Sequence, residues 1–598
     1  MNTKLFITRP VMTTLVMLGL LFFGIASYVN LPVSYLPTVD FPVILVKASL
    51  PGASPKTMSS SVASPLERQF SAIAGLSAMS STSSQGMTTV TLMFDLGKDI
   101  DKAAMDVQSA ITKARGSLPN TMTDEPTYEK VNPADSPILY LAIQSKTLPL
   151  STVNDYATTF VTQSLSMIPG VAQVLIYGEQ KYAVRIQVDP RKLAAMGIGL
   201  DQVAGAVAAE NVNLPMGTLD GRHKSITLDA DGQLKRAERY GPIIVDYKNE
   251  MPVRLEDLGR VKASTLTEKS GSWLNDERTL VLAIKRQPGS NTIEVVERIN
   301  QQLPTIRKQL PASIELREIY DMSKPIRESV DDVKFTLVLA VGLVVLVVFL
   351  FLRNIPGTVI TAVAIPFSII ATFAVMHFMR FTLDNFSLMA LTLAVGFVVD
   401  DAIVMLENIV RHMEMGKQPM EAALDGAKEI GFTIVTMTLS LAVVFIPILF
   451  MPGIIGRILN EFAVVITAAI LVSGVVSLSL TPMLCSRWLK SGSHLAHSDP
   501  IFDKVVAFYR RTLHYALDHR RKTMIASGLL FVLTIALFVI IPKGFLPSDD
   551  MGYLFGIVEG PQGNSFEDQA RSQNALTPML VADKDVREVI QVVGTGTT

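Results

Sequence analysis

Long apolar runs in this chain alternate with stretches of mixed sequence. Seven runs, at about 10–29, 335–352, 358–378, 386–410, 430–451, 460–486 and 523–541, are long enough to cross a bilayer as helices. Pro366, Pro447 and Pro482 fall within or near the ends of three of them, and membrane helices tolerate proline where neighbours satisfy the freed carbonyls. Residues 30–334 carry shorter periods. Val43–Ala48 is rich in β-branched residues, Pro51-Gly52 turns the chain, and Ser54-Pro55 caps a helix predicted to reach about Ile73. Strands are predicted near 76–83 and 87–95, and a helix near 99–116. A second set follows: strand 137–144, helix 154–167, and strands 171–177 and 181–188. After an insertion near 190–270 come strand 279–286, helix 291–309 and strand 313–319. Strands split by helices in this order predict ferredoxin-like βαβ units. The expected fold class is an α-helical membrane protein with inserted α/β domains.

Composition agrees with that class. With 49% hydrophobic residues, 18% charged residues and a mean hydropathy of +0.37, the chain is too oily for an ordinary soluble protein. Net charge is −1, so nothing points to nucleic acid as a partner. The single cysteine, Cys485, excludes an intrachain disulfide. Basic residues set orientation. Arg353 lies between the second and third runs, and Arg411, His412, Lys417 and Lys428 between the fourth and fifth. A large cluster from Arg487 to Lys522 lies between the sixth and seventh, whereas the alternate links carry only Arg380 and Arg457. The N-terminus is therefore expected in the cytoplasm and segment 30–334 on the far side.

Two further patterns shape the domain reading. The first run leads into Leu31-Pro32, Tyr35-Leu36-Pro37-Thr38-Val39-Asp40, a strand and Pro51-Gly52. The seventh leads into Ile541-Pro542, Phe545-Leu546-Pro547-Ser548-Asp549-Asp550, a strand and Pro561-Gln562-Gly563. These are parallel copies offset by 510 positions, with six spans per unit. In residues 499–521, Phe502, Val505, Val506, Tyr509, Leu513, Ala516 and Leu517 form an apolar stripe at helical spacing. It suits a helix on the cytoplasmic membrane surface or one folded on the protein's own underside. The expected layout is 1–29 with the first span, 30–334 soluble, 335–486 with spans two to six, a linker at 487–522, the seventh span at 523–541, and 542–598 opening a second soluble domain.

The chemistry concentrates in the fourth run. Asp400 and Asp401 stand together in Ala390–Leu406 (ALTLAVGFVVDDAIVML). A carboxylate at the centre of a membrane helix costs roughly 2.5–3.5 kcal/mol on insertion scales. Adjacent helical positions are about 100° apart, so the pair addresses two different neighbours. Such a pair binds a cation, relays protons or answers buried bases. Glu407, two turns beyond Asp400, either belongs to that path or is a rim carboxylate capping the helix or pairing with Arg411. Residues 30–334 hold no nucleophile–base pairing, phosphate loop or metal-ligand cluster, and only His223 among histidines, which argues against an enzyme.

Gly396–Asn408 (GFVVDDAIVMLEN) closely resembles the fourth span of the resistance–nodulation–division (RND) transporters. Pro32–Asp40 (PVSYLPTVD), Ala48–Pro55 (ASLPGASP), Phe349–Arg353 (FLFLR) and Leu480–Lys490 (LTPMLCSRWLK) resemble the same family, in the same order. The likeness is nearest to the hydrophobe/amphiphile efflux branch and its MdtB/MdtC-like members. Heavy-metal exporters of the family typically have alanine after the first aspartate, whereas both positions are acidic here, which speaks against metal export and leaves it the alternative reading. The resemblance implies that Asp400 and Asp401 bind protons together with a lysine on a tenth span. It implies amphiphilic substrates, no cofactor beyond the proton-motive force, and a homo- or heterotrimer in a bacterial inner membrane. It also implies a periplasmic adaptor and an outer-membrane channel as partners. By motif position Ile138 and Tyr177 would face the substrate pocket, where drug exporters of the best-known type carry phenylalanines. Tyr140 and Trp273 are further candidates, against the plainer reading of aromatic residues as core. Complete members have two copies and about twelve spans, so the missing lysine suggests a truncated, split or disrupted gene. Its product would be a half-transporter inactive alone, or a scaffold for a full-length relative.

Overall fold

The computed structural model describes residues 3–34, 36–37, 41–122, 124–132, 136–212, 217–227, 233–248, 250–287, 289–352, 354–489, 500–542, 551–561 and 563–594. Tyr35, Thr38–Asp40, Arg353, Lys490, Phe545–Asp550 and Gln562, to which orientation, repeat and motif readings were attached, lie outside them. The chain forms two compact units: 1–39 with 324–555, and 40–323 with 556–598.

Among the described residues, the first unit contains seven helices long and apolar enough to span a membrane. They are Pro10–Asn30, Ser323–Leu352, Ile355–Phe378, Asn385–Glu414, Pro419–Leu449, Gly453–Trp488 and Arg520–Ile540, called spans one to seven below. Most run beyond their apolar stretch. The fifth begins eleven residues before the predicted 430, because Pro419 starts it and Glu421 suits its first turn, while Ala422, Ala423 and Ala427 are buried. The fourth starts from a capping box in which Asp384 accepts the Ser387 N–H and Ser387 Oγ accepts the Asp384 N–H. Pro366, Pro447 and Pro482 sit inside spans three, five and six. Small residues allow close packing: a Cβ on Gly24 of the first span would lie 2.1 Å from the Ile370 carbonyl oxygen of the third. Spans one, three, four, five and six share a core containing Met17, Ile360, Met405, Ile409, Ile434 and Met483. Residues 500–518 are helical, in agreement with the amphipathic stripe.

The second unit holds two sheets of one design. In the first, β1 (Val43–Ser49), β2 (Leu76–Ser84), β3 (Met87–Phe94) and β4 (Thr127–Val131) are ordered β2-β3-β1-β4, every pair antiparallel. Ser54 caps the helical segment from Pro55 to Phe70, and Asp99 caps Ile100–Ala114. Both pack on the sheet through Met58, Leu66, Phe70, Val107 and Ile111. The second design uses β5 (Leu139–Ser145) and β6 (Val171–Tyr177) before the insertion. The insertion contains β7 (Tyr182–Val188), β8 (Thr218–Asp220), β9 (Ser225–Thr227), β10 (Ile244–Lys248), β11 (Met251–Arg254) and β12 (Gly259–Thr265). Then follow β13 (Ser270–Leu274), β14 (Glu277–Arg286) and β15 (Ile314–Asp321). Strands β15, β5, β14 and β6 are neighbours in that order, again antiparallel, which is the ferredoxin-like arrangement twice over. One expectation is corrected: the strand at 181–188 does not join this sheet but pairs with β12, so the insertion begins at Tyr182 rather than near 190. A last strand, β16 (Ile590–Gly594), pairs with β13, so sequence after the seventh span extends a sheet begun before the second.

Candidate functional site

The acids are placed by the fourth span, whose apolar residues leave few polar positions. Val395, Val398, Val399, Ala402 and Met405 are buried around the pair. Asp401 points into the unit and is 6% exposed, whereas Asp400, one residue back, is exposed. The structure thus separates the two by facing, as helical geometry requires.

Asp401 meets the fifth span at Thr438, with 3.1 Å between Oδ2 and Oγ1. That hydroxyl also lies 2.8 Å from the Ile434 carbonyl oxygen, one turn back on its own helix. A threonine has one hydrogen and two lone pairs. With Asp401 ionised, the hydrogen points to the carboxylate and the Ile434 bond is given up. With Asp401 protonated, the acid donates to Oγ1 while Thr438 keeps the shorter bond to Ile434. Both states are accommodated without moving a heavy atom, so this contact tolerates loading and unloading of a proton.

The sixth span closes the site. A Cβ at Gly474 would stand 2.9 Å from Thr438 Cγ2 and 3.0 Å from its Oγ1, so only glycine permits this approach unstrained. Beside it, Ser473 Oγ donates to the Val398 carbonyl at 2.9 Å. Three spans therefore converge around one carboxyl group. Sequence reasoning missed Thr438, Gly474 and Ser473. A neutral hydroxyl or a glycine in an apolar run signals nothing alone, and only the Asp401 contact identifies them.

Glu407 is exposed near the end of the fourth span. Its proposed rim partner is engaged elsewhere: Arg411 donates to Glu429 Oε1 at 2.6 Å, and His412 Nε2 lies 2.6 Å from Glu429 Oε2. Asn408 is buried and donates to the Gly426 carbonyl at 2.9 Å, which ties spans four and five below the acids. Among the described residues, no cluster of three or more His, Cys, Asp or Glu side chains is placed to hold a metal ion.

The four residues offered for substrate contact do not form one surface. Ile138 is 2% exposed and belongs to the core beneath the helices. Tyr140 and Tyr177 sit opposite Ala283 and Val281 on β14, two positions apart, so both stand on the face of the sheet that its helices leave uncovered. Both are half-buried, Tyr140 packs against the Tyr320 ring, and burial raises the Tyr177 phenol above its usual pKa. Trp273, across from Arg278, projects to the other face. It stacks on Phe566 and lies 4.5 Å beneath the Arg278 guanidinium, a packed cluster with β16. A family model for AcrB/AcrD/AcrF matches residues 2–598, and the chain therefore belongs to that family of RND efflux transporters, as a multi-pass membrane protein.

Proposed function

We propose that the chain works as the proton-driven part of an efflux pump of the hydrophobe/amphiphile branch, with MdtB/MdtC-like relatives. It exports hydrophobic or amphiphilic compounds in exchange for protons. The observation that carries this reading is the Asp401–Thr438 contact, a buried carboxyl whose hydrogen-bond partner serves both of its protonation states. Asp400 and Asp401 take up protons from the outer side and release them inward, each charge yielding about 2.3 kcal/mol per 100 mV of membrane potential. Uptake drives transport only if protonation favours one of two packed arrangements, and the close Thr438–Gly474 seam supplies a contact that feels the change. The energy source is the proton-motive force, without a cofactor. The setting is a bacterial inner membrane, with residues 30–334 in the periplasm. The pump is a homo- or heterotrimer joined to a periplasmic adaptor and an outer-membrane channel. Tyr140 and Tyr177 are the aromatic residues best placed to meet an amphiphile.

The test is a susceptibility panel of dyes, bile salts, detergents and metal ions in a pump-deleted host. Asp401→Asn is compared with the parent at equal membrane abundance. Loss of resistance to amphiphiles supports the proposal. Retained efflux in the mutant defeats the proton role, resistance confined to metals moves the chain to the metal exporters, and no resistance from the parent leaves a half-transporter without activity of its own.

A further inference from the structure

A second pair of carboxyl groups lies at the start of the fourth span. Asp384, completely buried, is its N-cap, and Glu461, 7% exposed, lies in the first turns of the sixth. Asp384 is richly supplied with donors. Its Oδ1 accepts the N–H groups of Phe386 at 2.8 Å and Ser387 at 2.9 Å, and its Oδ2 accepts the Thr382 hydroxyl at 2.8 Å. Glu461 Oε1 accepts the Thr382 N–H at 3.1 Å, whereas Oε2 is buried and no donor reaches it. Thr382 holds both groups, its hydroxyl on Asp384 and its N–H on Glu461, which makes the two carboxyl groups neighbours in one buried place. Two carboxylates are acceptors only, so the pair gains a bond of its own only when a hydrogen lies between them.

We propose that Asp384 and Glu461 form a second proton-binding site, holding one proton between them, separate from Asp400 and Asp401. The donors assign the parts. Asp384, with three donors and the positive end of a helix, is the ionised member. Glu461, with a bare buried oxygen, carries the hydrogen and donates it. The site is walled off: Thr382 and Leu383 are each 2% exposed. A strap following the first span crosses it, with Leu383 N–H donating to the Pro32 carbonyl at 2.8 Å and Ser34 N–H to the Leu383 carbonyl at 3.2 Å. His377 and Arg380 at the end of the third span, Arg457 one turn before Glu461, and Arg327, Glu328, Asp331 and Asp332 on the second are all exposed. Seventeen positions separate Asp384 from Asp401, about 25 Å along the helix, too far for one proton to serve both.

The chemistry makes this a latch. With the proton present, the bond ties the entry of the fourth span to the sixth. Without it, two like charges face each other in a buried place and the tie becomes a repulsion. The proton-site claim stands without the pump reading, while a part in transport rests on it.

Infrared difference spectroscopy of the purified full chain, titrated in H₂O and D₂O, tests the site directly. The expected result is a deuterium-sensitive carbonyl band of a protonated carboxyl that Glu461→Gln removes, Asp384→Asn shifts, and Asp400→Asn with Asp401→Asn leaves in place. A band indifferent to Glu461→Gln overturns the proposal. So does its disappearance when sodium chloride replaces choline chloride at fixed pH, which would make the site one for a metal cation. Glu461→Gln keeps a donor toward Asp384 and is expected to fold, with Glu461→Ala as the destabilised contrast. In transport assays Glu461→Gln is expected to flatten the dependence on external pH without abolishing efflux. If the pump reading fails, efflux is absent from every variant while the band still reports the pair.

Discussion

The start and the middle of the fourth span place the same functional group, in one helix, under opposite conditions. At Asp384 the helix is beginning, its first N–H groups have no intrahelical partners, and a buried carboxylate collects them. At Asp401 every neighbouring N–H is spent on the helix itself, and the contact across the packing is a single neutral hydroxyl. A carboxylate at a helix start is satisfied by backbone, so removing it harms the fold. One in mid-helix lacks that backbone supply, and on the proposed proton role removing it harms transport instead. Burial alone does not separate them, since both are under 10% exposed. The supply of donors does.

The sharpest way to break that contrast is to mutate each acid and ask which property falls. Asp401→Asn is expected to abolish efflux at unchanged abundance and thermal stability. Asp384→Ala is expected to lower stability by about 1 kcal/mol for the lost cap, within the usual range of 0.5–2, and more through the orphaned Glu461. Thermal unfolding in detergent beside a resistance assay reads both. A stable, inactive Asp384→Ala with an unstable Asp401→Asn would reverse the assignment. Next in size is Gly474→Leu, which drives a side chain into Thr438 where even a Cβ stands at 2.9 Å. Overpacking there is expected to cost about 1–3 kcal/mol and to displace the hydroxyl from Asp401. Thr438→Val is milder, about 1 kcal/mol. It is expected to shift the pH dependence of transport while Thr438→Ser restores it. An unchanged profile in Thr438→Val would deny the hydroxyl its two-state role.

Much of this was legible in the sequence, for reasons that also explain the remainder. Spans one to seven announce themselves because lipid demands a continuous apolar run, and the aspartate pair stands out against one. The start of the fifth span was hidden because Glu421, Asp425, Lys428 and Glu429 make its first three turns read as a loop. The helix start at Pro55 was readable from Ser54, since a cap is a local device, and the structure finds the same device in Asp99 and Asn291 before Ile100 and Thr292. Strand partners are not local. The alternation of β7 suits a place beside β6 as well as one beside β12, and nothing near β13 announces β16 more than 300 residues later. The Asp384–Glu461 pair was invisible for the same reason. Each acid alone reads as a helix-end charge, and only the packing of the fourth span on the sixth brings them together.

The smallest expected effect tests whether the acid site extends toward the end of the fourth span. Glu407 lies two turns beyond Asp400 on the same side of the helix, which by spacing makes it a stepping stone. Its exposure makes it an ordinary surface carboxylate, and Arg411 and His412 are committed to Glu429. Glu407→Gln is therefore expected to change stability by less than about 0.5 kcal/mol, as surface substitutions do, and to leave transport and its pH profile intact. Glu429→Gln is expected to do more, because it weakens the bonds that join spans four and five at that end. Measured side by side, the two variants separate charge in a path from charge in a joint. A transport defect in Glu407→Gln larger than that of Glu429→Gln would carry the proton route past Asp401 along the exposed side of the helix, and the contrast between its start and its middle would have to become a contrast among three stations.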